Sequence, residues 1–185
     1  MSYPGYRKLV EILTKNGQTT GNSQEESLVY YTKLNNKRMA RLDKTITLPE
    51  EAIKQLKAYK GNITWLILTE SWCGDAAQTL PVMYKMAALN ARIDMKIVLR
   101  DENEALMEQF LTRGARSLPK LIMINNPTGE VLHTWGPRPS TATKMVNEFK
   151  ERHGKLTPEF REALQVWYNK DKGENTVEDL LELLQ

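Results

Sequence analysis

The chain has one cysteine, Cys73, and two histidines, His133 and His153. A lone cysteine cannot close an internal disulfide, so a stapled extracellular scaffold is excluded. The two histidines stand far apart, with no cysteine or carboxylate at a ligand spacing, and leave a structural zinc site without ligands. Long apolar runs are missing as well. Stretches such as Trp65–Leu68 and Leu121–Ile124 are only four residues long, where a membrane span takes roughly 20. Met1–Gln18 mixes tyrosine, lysine and glutamate and shows no basic-then-apolar leader, so a cytoplasmic protein away from membranes is expected. The glycines are scattered and none forms a phosphate-cradling loop before a helix with lysine, so neither a metal nor another cofactor is expected.

An excess of charge of one sign is the last absence. The 26 basic and 23 acidic residues leave a net charge of +3, which by itself does not point to nucleic acid. Lys33, Lys37, Arg38, Arg41 and Lys44 recur at helical spacing, but no aromatics are interleaved as a single-strand binder needs. They fit a solvated helix face, and no nucleic-acid partner is expected.

What is present is a chain of 185 residues, enough to bury a proper core. Ser23-Gln24-Glu25-Glu26 forms a capping-box pattern, and Leu28, Tyr31, Leu34 or Asn35, Met39 and Leu42 then recur every three or four residues, predicting a helix to about Leu42. Thr47-Leu48-Pro49-Glu50 opens a shorter helix with Ile53, Leu56 and Tyr59 inward and Gly61 as its stop. Ile63–Thr69 is apolar enough for a strand covered on both faces. Gly74–Asn90 follows as a helix and Met95–Leu99 as a strand, which makes a βαβ unit. Asp101 with Glu104 caps the next helix, and Gly114 ends it. Lys120–Ile124 and Glu130–Trp135 form a hairpin, adding an antiparallel edge. Thr143–Arg152, a helix opened by Thr157-Pro158-Glu159, and one capped at Thr176–Asp179 complete the chain, with Phe160, Leu164, Trp167, Val177, Leu180, Leu181 and Leu184 packed.

Trp72-Cys73-Gly74-Asp75-Ala76 lies where the first strand hands over to a helix. Over roughly Ile63–Lys150 the chain resembles the thioredoxin superfamily, in particular bacterial thioredoxin-like proteins with a Trp-Cys-Gly-Asp motif. Trp72-Cys73-Gly74 matches the start of that family's active site. Pro81, eight residues past the cysteine, matches its helix-kinking proline, Pro119 its cis-proline, and Gly129-Glu130-Val131 its last hairpin turn. The resemblance implies an α/β thioredoxin-like fold, a central mixed sheet flanked by helices, as one domain over 1–185. Its core spans about 62–153, with helical extensions at about 1–60 and 154–185.

For the site, the resemblance implies Cys73 as the catalytic thiol, with Trp72, Gly74, Asp75, Leu118 and Pro119 binding substrate. Two departures stand against ordinary dithiol chemistry. Ala76 replaces the second thiol, so nothing in cis can resolve a mixed disulfide. Ile67 replaces the buried acid six residues before the cysteine, and Glu70 lies at a strand end expected to face water. A helix N-terminus favours the thiolate while Asp75 opposes it, which predicts a thiol pKa between roughly 6 and 8.5. Arg100, Arg113 and Arg116 add positive potential if the loop before Pro119 folds toward Cys73. Two functions remain open: monothiol exchange or redox sensing through Cys73, with a low-molecular-weight thiol or a protein disulfide as partner, or a thioredoxin-fold peptide-binding module without catalysis.

Overall fold

The computed structural model describes residues 1–185. Strand β1 (Ile63–Thr69) is interior to a four-stranded sheet of order β2-β1-β3-β4. It pairs in parallel with β2 (Ile93–Leu99), Ile63 opposite Ile93, and antiparallel with β3 (Lys120–Asn125), Ile63 opposite Asn125. β4 (Val131–Trp135) pairs antiparallel with β3 and forms the edge. The continuous apolar run of β1 is thus matched by its setting, flanked by strands and covered by helices. Helix α4 (Gly74–Ala87) carries the chain from β1 to β2, with Pro81 inside it. This is a mixed sheet flanked by helices, the expected thioredoxin-like α/β arrangement with added helices at both ends of the chain.

The opening segment departs from the sequence reading. It forms helix α1 (Tyr3–Asn16), whose signals are weak one by one but consistent. Ser2 Oγ accepts from the Gly5 amide, Tyr3, Tyr6 and Val10 fall on one face, and Gly17 at φ 65° stops the helix. Helix α2 (Glu26–Thr45) runs past Leu42, and Ser23 does not cap it; its hydroxyl accepts from Glu25 N instead. The buried face of α2 keeps Asn35, Met39 and Leu42 of the expected stripe and differs where Thr32 takes the place of Tyr31. Thr32 and Asn35 are inside while Tyr31 is exposed, because these polar groups bond Ser71 at the end of β1. Polar residues can be buried where they find hydrogen-bond partners, which a hydrophobic period cannot register.

Helix α3 (Glu50–Ala58) begins where expected, with no side-chain cap from Thr47. Helix α5 (Glu104–Gln109) is much shorter than predicted, and its N-cap is Asn103, not Asp101. Gly114 does not end that helix. Arg113 and Gly114, at φ 51° and 77°, form a tight turn in which Thr112 and Ala115 exchange backbone hydrogen bonds at 2.9 and 3.1 Å. Helix α6 (Ser140–His153) starts three residues before Thr143. Helix α7 (Pro158–Asp171) has Thr157 as its cap, accepting from Phe160 N as the sequence indicates. Helix α8 (Glu174–Glu182) starts after Gly173 and not at Thr176, which is buried within it.

A cluster of 32 buried residues fills the space around β1 and α4, with Trp65, Ile67, Leu80 and Met83 among them. Four more, Ala142, Val146, Leu164 and Tyr168, form a separate cluster between α6 and α7. No helix is long and apolar enough to cross a membrane.

Candidate functional site

Cys73 is the N-cap residue of α4 and joins the end of β1 to the helix. Its residue exposure is 8%, and its thiol donates to the Leu118 carbonyl at 3.4 Å. The Leu118–Pro119 peptide is cis, the isomer favoured on sequence grounds, and both residues are buried. Trp72 is half-buried beneath the Arg100 guanidinium, which lies 5.1 Å from the ring centroid. Over Gly74 lie Arg38 of α2 and Gln165 of α7, 3.5 and 3.9 Å from where a Cβ would stand. Asp75 turns inward. Its Oδ2 meets Arg138 at 2.8 Å and its Oδ1 accepts from Tyr168 at 2.9 Å. The six residues singled out from the sequence are therefore neighbours, with Cys73, Leu118 and Pro119 buried and Trp72, Gly74 and Asp75 half-buried.

Covering sets the electrostatics. Burial first, and then Asp75, push the Cys73 thiol up to about 12, against the backbone amides of Ala76 and Asp75 and the charge of Arg138, which favour the thiolate. The window of 6 to 8.5 weighed helix against carboxylate and left out desolvation, the largest effect here. Burial also raises Asp75, against the lowering effects of Arg138, Tyr168 and Arg38.

Glu70 corrects a second expectation, because it is 0% exposed and does not face water. The segment Thr19–Asn22 folds over the end of β1: Thr20 bonds Ser71 through its backbone N and its Oγ1, and Asn22 N donates to Asp101. Gly21, at φ 88°, passes so close that a Cβ would lie 2.5 Å from Asp101 Oδ2. Glu70 Oε1 accepts from Asp101 N at 2.9 Å, Oε2 is buried without a partner, and burial raises the carboxyl. A buried acid thus stands three residues before Cys73.

The arginines expected to supply positive potential serve otherwise. Arg116 pairs with Glu104 and Glu108, Arg113 is exposed in its turn, and Arg100 is bound to Asp101. Besides Arg100 over Trp72, the cations at the motif are Arg138, which the sequence reading did not name, and Arg38, which it assigned to a solvated helix face. Arg138 lies between Pro137 and Pro139 in the loop after β4, and nothing local in the sequence shows which way that loop turns. Tyr168 and Gln165 come from α7, about 90 residues from the motif along the chain, so only the fold brings them there.

A thioredoxin family model matches residues 21–150, well over half of the sequence. The chain belongs to the thioredoxin family. A crystal structure of a protein of unknown function from Pseudomonas aeruginosa has the same fold, with a TM-score of 0.63 at 17% identity over 82% of this chain and 84% of that one. An HIV epitope-scaffold gives a TM-score of 0.62 at 16% identity over 100% of this chain and 98% of its own. At such identities the likeness concerns the fold alone. No curated protein matches. Within this thioredoxin-family chain the matched segment holds Cys73, Pro119 and Arg138, whereas Gln165 and Tyr168 lie beyond it. The position of the family's second thiol is taken by Ala76, 1% exposed in the first turn of α4.

Proposed function

We propose that the protein carries out monothiol thiol–disulfide exchange or redox sensing through Cys73, from a resting state in which the thiol is protonated and covered. The observation that carries this reading is the position of the sulfur, at the start of α4 beside the amides of Asp75 and Ala76 and 3.4 Å from the carbonyl that precedes Pro119. Those amides stabilise a thiolate once it forms. Loss of the thiol proton removes the donor to Leu118 O, which frees that carbonyl to accept from an extended substrate chain. The Cys73 thiolate then attacks a disulfide RS–SR′, forming Cys73–S–S–R and releasing R′S⁻. A thiolate R″S⁻ from a low-molecular-weight thiol or another protein attacks the R-side sulfur of this mixed disulfide, forming R″S–SR and returning Cys73 as thiolate. Trp72, Gly74, Asp75, Leu118 and Pro119 would line the passage of the substrate.

A second reading, a binding module without catalysis, is favoured by one observation, the burial that pushes the thiol up to about 12. The rate of reaction with glutathione disulfide, followed by intact mass over a pH series, separates the two. The exchange reading expects one glutathione per chain, bound at Cys73 and displaced by added thiol, with the rate rising with pH. No adduct from the folded protein, under conditions where the unfolded chain reacts, selects the binding module.

A further inference from the structure

Asp75 occupies the first turn of α4, two residues past Cys73, and both of its carboxylate oxygens are engaged from other parts of the chain. Arg138 arrives from the turn after β4 and Tyr168 from α7, and the Asp75 and Arg138 side chains are only 12% and 23% exposed. Arg138 meets this carboxylate through Nη2, while its Nε is buried without a partner. A shielded carboxylate beside a thiol repels the thiolate, and a cation on that carboxylate cancels much of the field. The other groups facing the sulfur are Tyr6 of α1 and Tyr168, both kept un-ionised by burial, while Arg38 of α2 faces Asp75 and donates to Asn35 at 3.0 Å.

We propose that Arg138 is a positioning residue for Cys73, holding Asp75 and offsetting part of its charge, so that the carboxylate opposes the thiolate less than it would unpaired. Tyr168 fixes the other carboxylate oxygen, so the site is completed from beyond the family-matched segment. The proposal rests on the exchange reading for its purpose but not for its test.

The test is alkylation of Cys73 by iodoacetamide, an uncharged probe that reports thiolate without needing a disulfide, followed over a pH series. At a pH below the thiol's pKa, raising or lowering that pKa by one changes the thiolate fraction, and so the rate, about tenfold. Arg138→Gln is expected to slow alkylation at pH 8 by roughly tenfold, Asp75→Asn to speed it by a similar factor, and Arg138→Lys to stay within about threefold of the wild type. Because Arg138 acts mainly by holding Asp75, its removal costs less once the carboxylate is gone: the double variant Asp75→Asn/Arg138→Gln should be slower than Asp75→Asn only by the direct effect of the Arg138 charge, about threefold or less. Arg138→Gln reacting as fast as the wild type or faster overturns the proposal, since loosened packing would only expose the thiol. So does a double variant slowed relative to Asp75→Asn by as much as Arg138→Gln is slowed relative to the wild type. If Asp75→Asn does not fold, the comparison of Arg138→Gln with Arg138→Lys decides, and equal rates overturn the proposal. Glutathione disulfide run in parallel keeps the two readings apart: the alkylation pattern without any adduct leaves Arg138 its role and removes exchange, and adduct formation without the pattern does the reverse.

Discussion

The two clusters of buried side chains rest on different physics. In the larger, around β1 and α4, apolar groups meet apolar groups, and its 32 members draw on nearly every element. In the smaller, Ala142, Val146, Leu164 and Tyr168 pack α6 on α7, and α7 then meets the rest of the molecule through polar groups. Tyr168 bonds Asp75, Gln165 accepts from Gln78 at 2.9 Å, and Asn169 accepts from Arg41 at 2.7 Å. Apolar burial supplies much stabilisation and little direction, whereas hydrogen bonds supply direction and about 1 kcal/mol each. The position of α7 over the motif is therefore specified more than it is driven. Regions held this way open at lower free energy than the core.

Truncation in each cluster tests the contrast most strongly. Leu80, 0% exposed on α4, is expected to cost about 3–5 kcal/mol as Leu80→Ala, read from urea unfolding. Leu164→Ala should cost about 2 kcal/mol, since the small cluster has less structure to hold a cavity open. Amide exchange sharpens the comparison: Leu164→Ala should speed exchange in α7 and leave β1 unchanged. Equal losses in the two variants, or equal exchange in both regions, would show that α7 belongs energetically to the main core.

The same contrast marks what was legible in the sequence. β1 matched its predicted bounds because an apolar run of strand length has few alternatives, and Thr157 before Pro158 named its helix start correctly. α1 went unread because its buried face is built on Tyr3 and Tyr6, whose spacing is helical but whose surroundings are polar. At the site, Trp72, Cys73, Gly74 and Asp75 are contiguous and stood out at once. Arg138, Gln165 and Tyr168 reach the motif through hydrogen bonds between distant segments, and no local pattern announces such a meeting. Glu70 was misplaced for a related reason, because the segment that buries it, Thr19–Asn22, lies about 50 residues away and carries no periodicity.

A pH series tests the next largest effect, at the border between the two clusters. The folded thiol of Cys73 ionises near 12, while in the unfolded chain it ionises near its usual 9. Between those values the unfolded state has released a proton that the folded state retains, so stability falls as pH rises from about 9 toward 12. Cys73→Ala lacks this loss. Its stability, measured by urea unfolding at each pH, should approach that of the wild type as pH climbs through that window. A constant gap between the two proteins from about pH 7 to 11 would mean that the thiol ionises alike folded and unfolded, and that burial does not hold its proton.

The smallest expected effect lies on the outer side of α7. Val166 is 47% exposed there and belongs to neither cluster. If α7 is held only by its inner face, Val166→Lys removes no packing and replaces a β-branched residue with a better helix former. It should raise stability by roughly a few tenths of a kcal/mol. Thermal unfolding should show a midpoint unchanged or slightly higher. A loss above about 1 kcal/mol would exceed the usual range for a surface position. It would mean that the outer face of α7 is packed in solution, and the division between a driven core and a specified helix would then have to be redrawn.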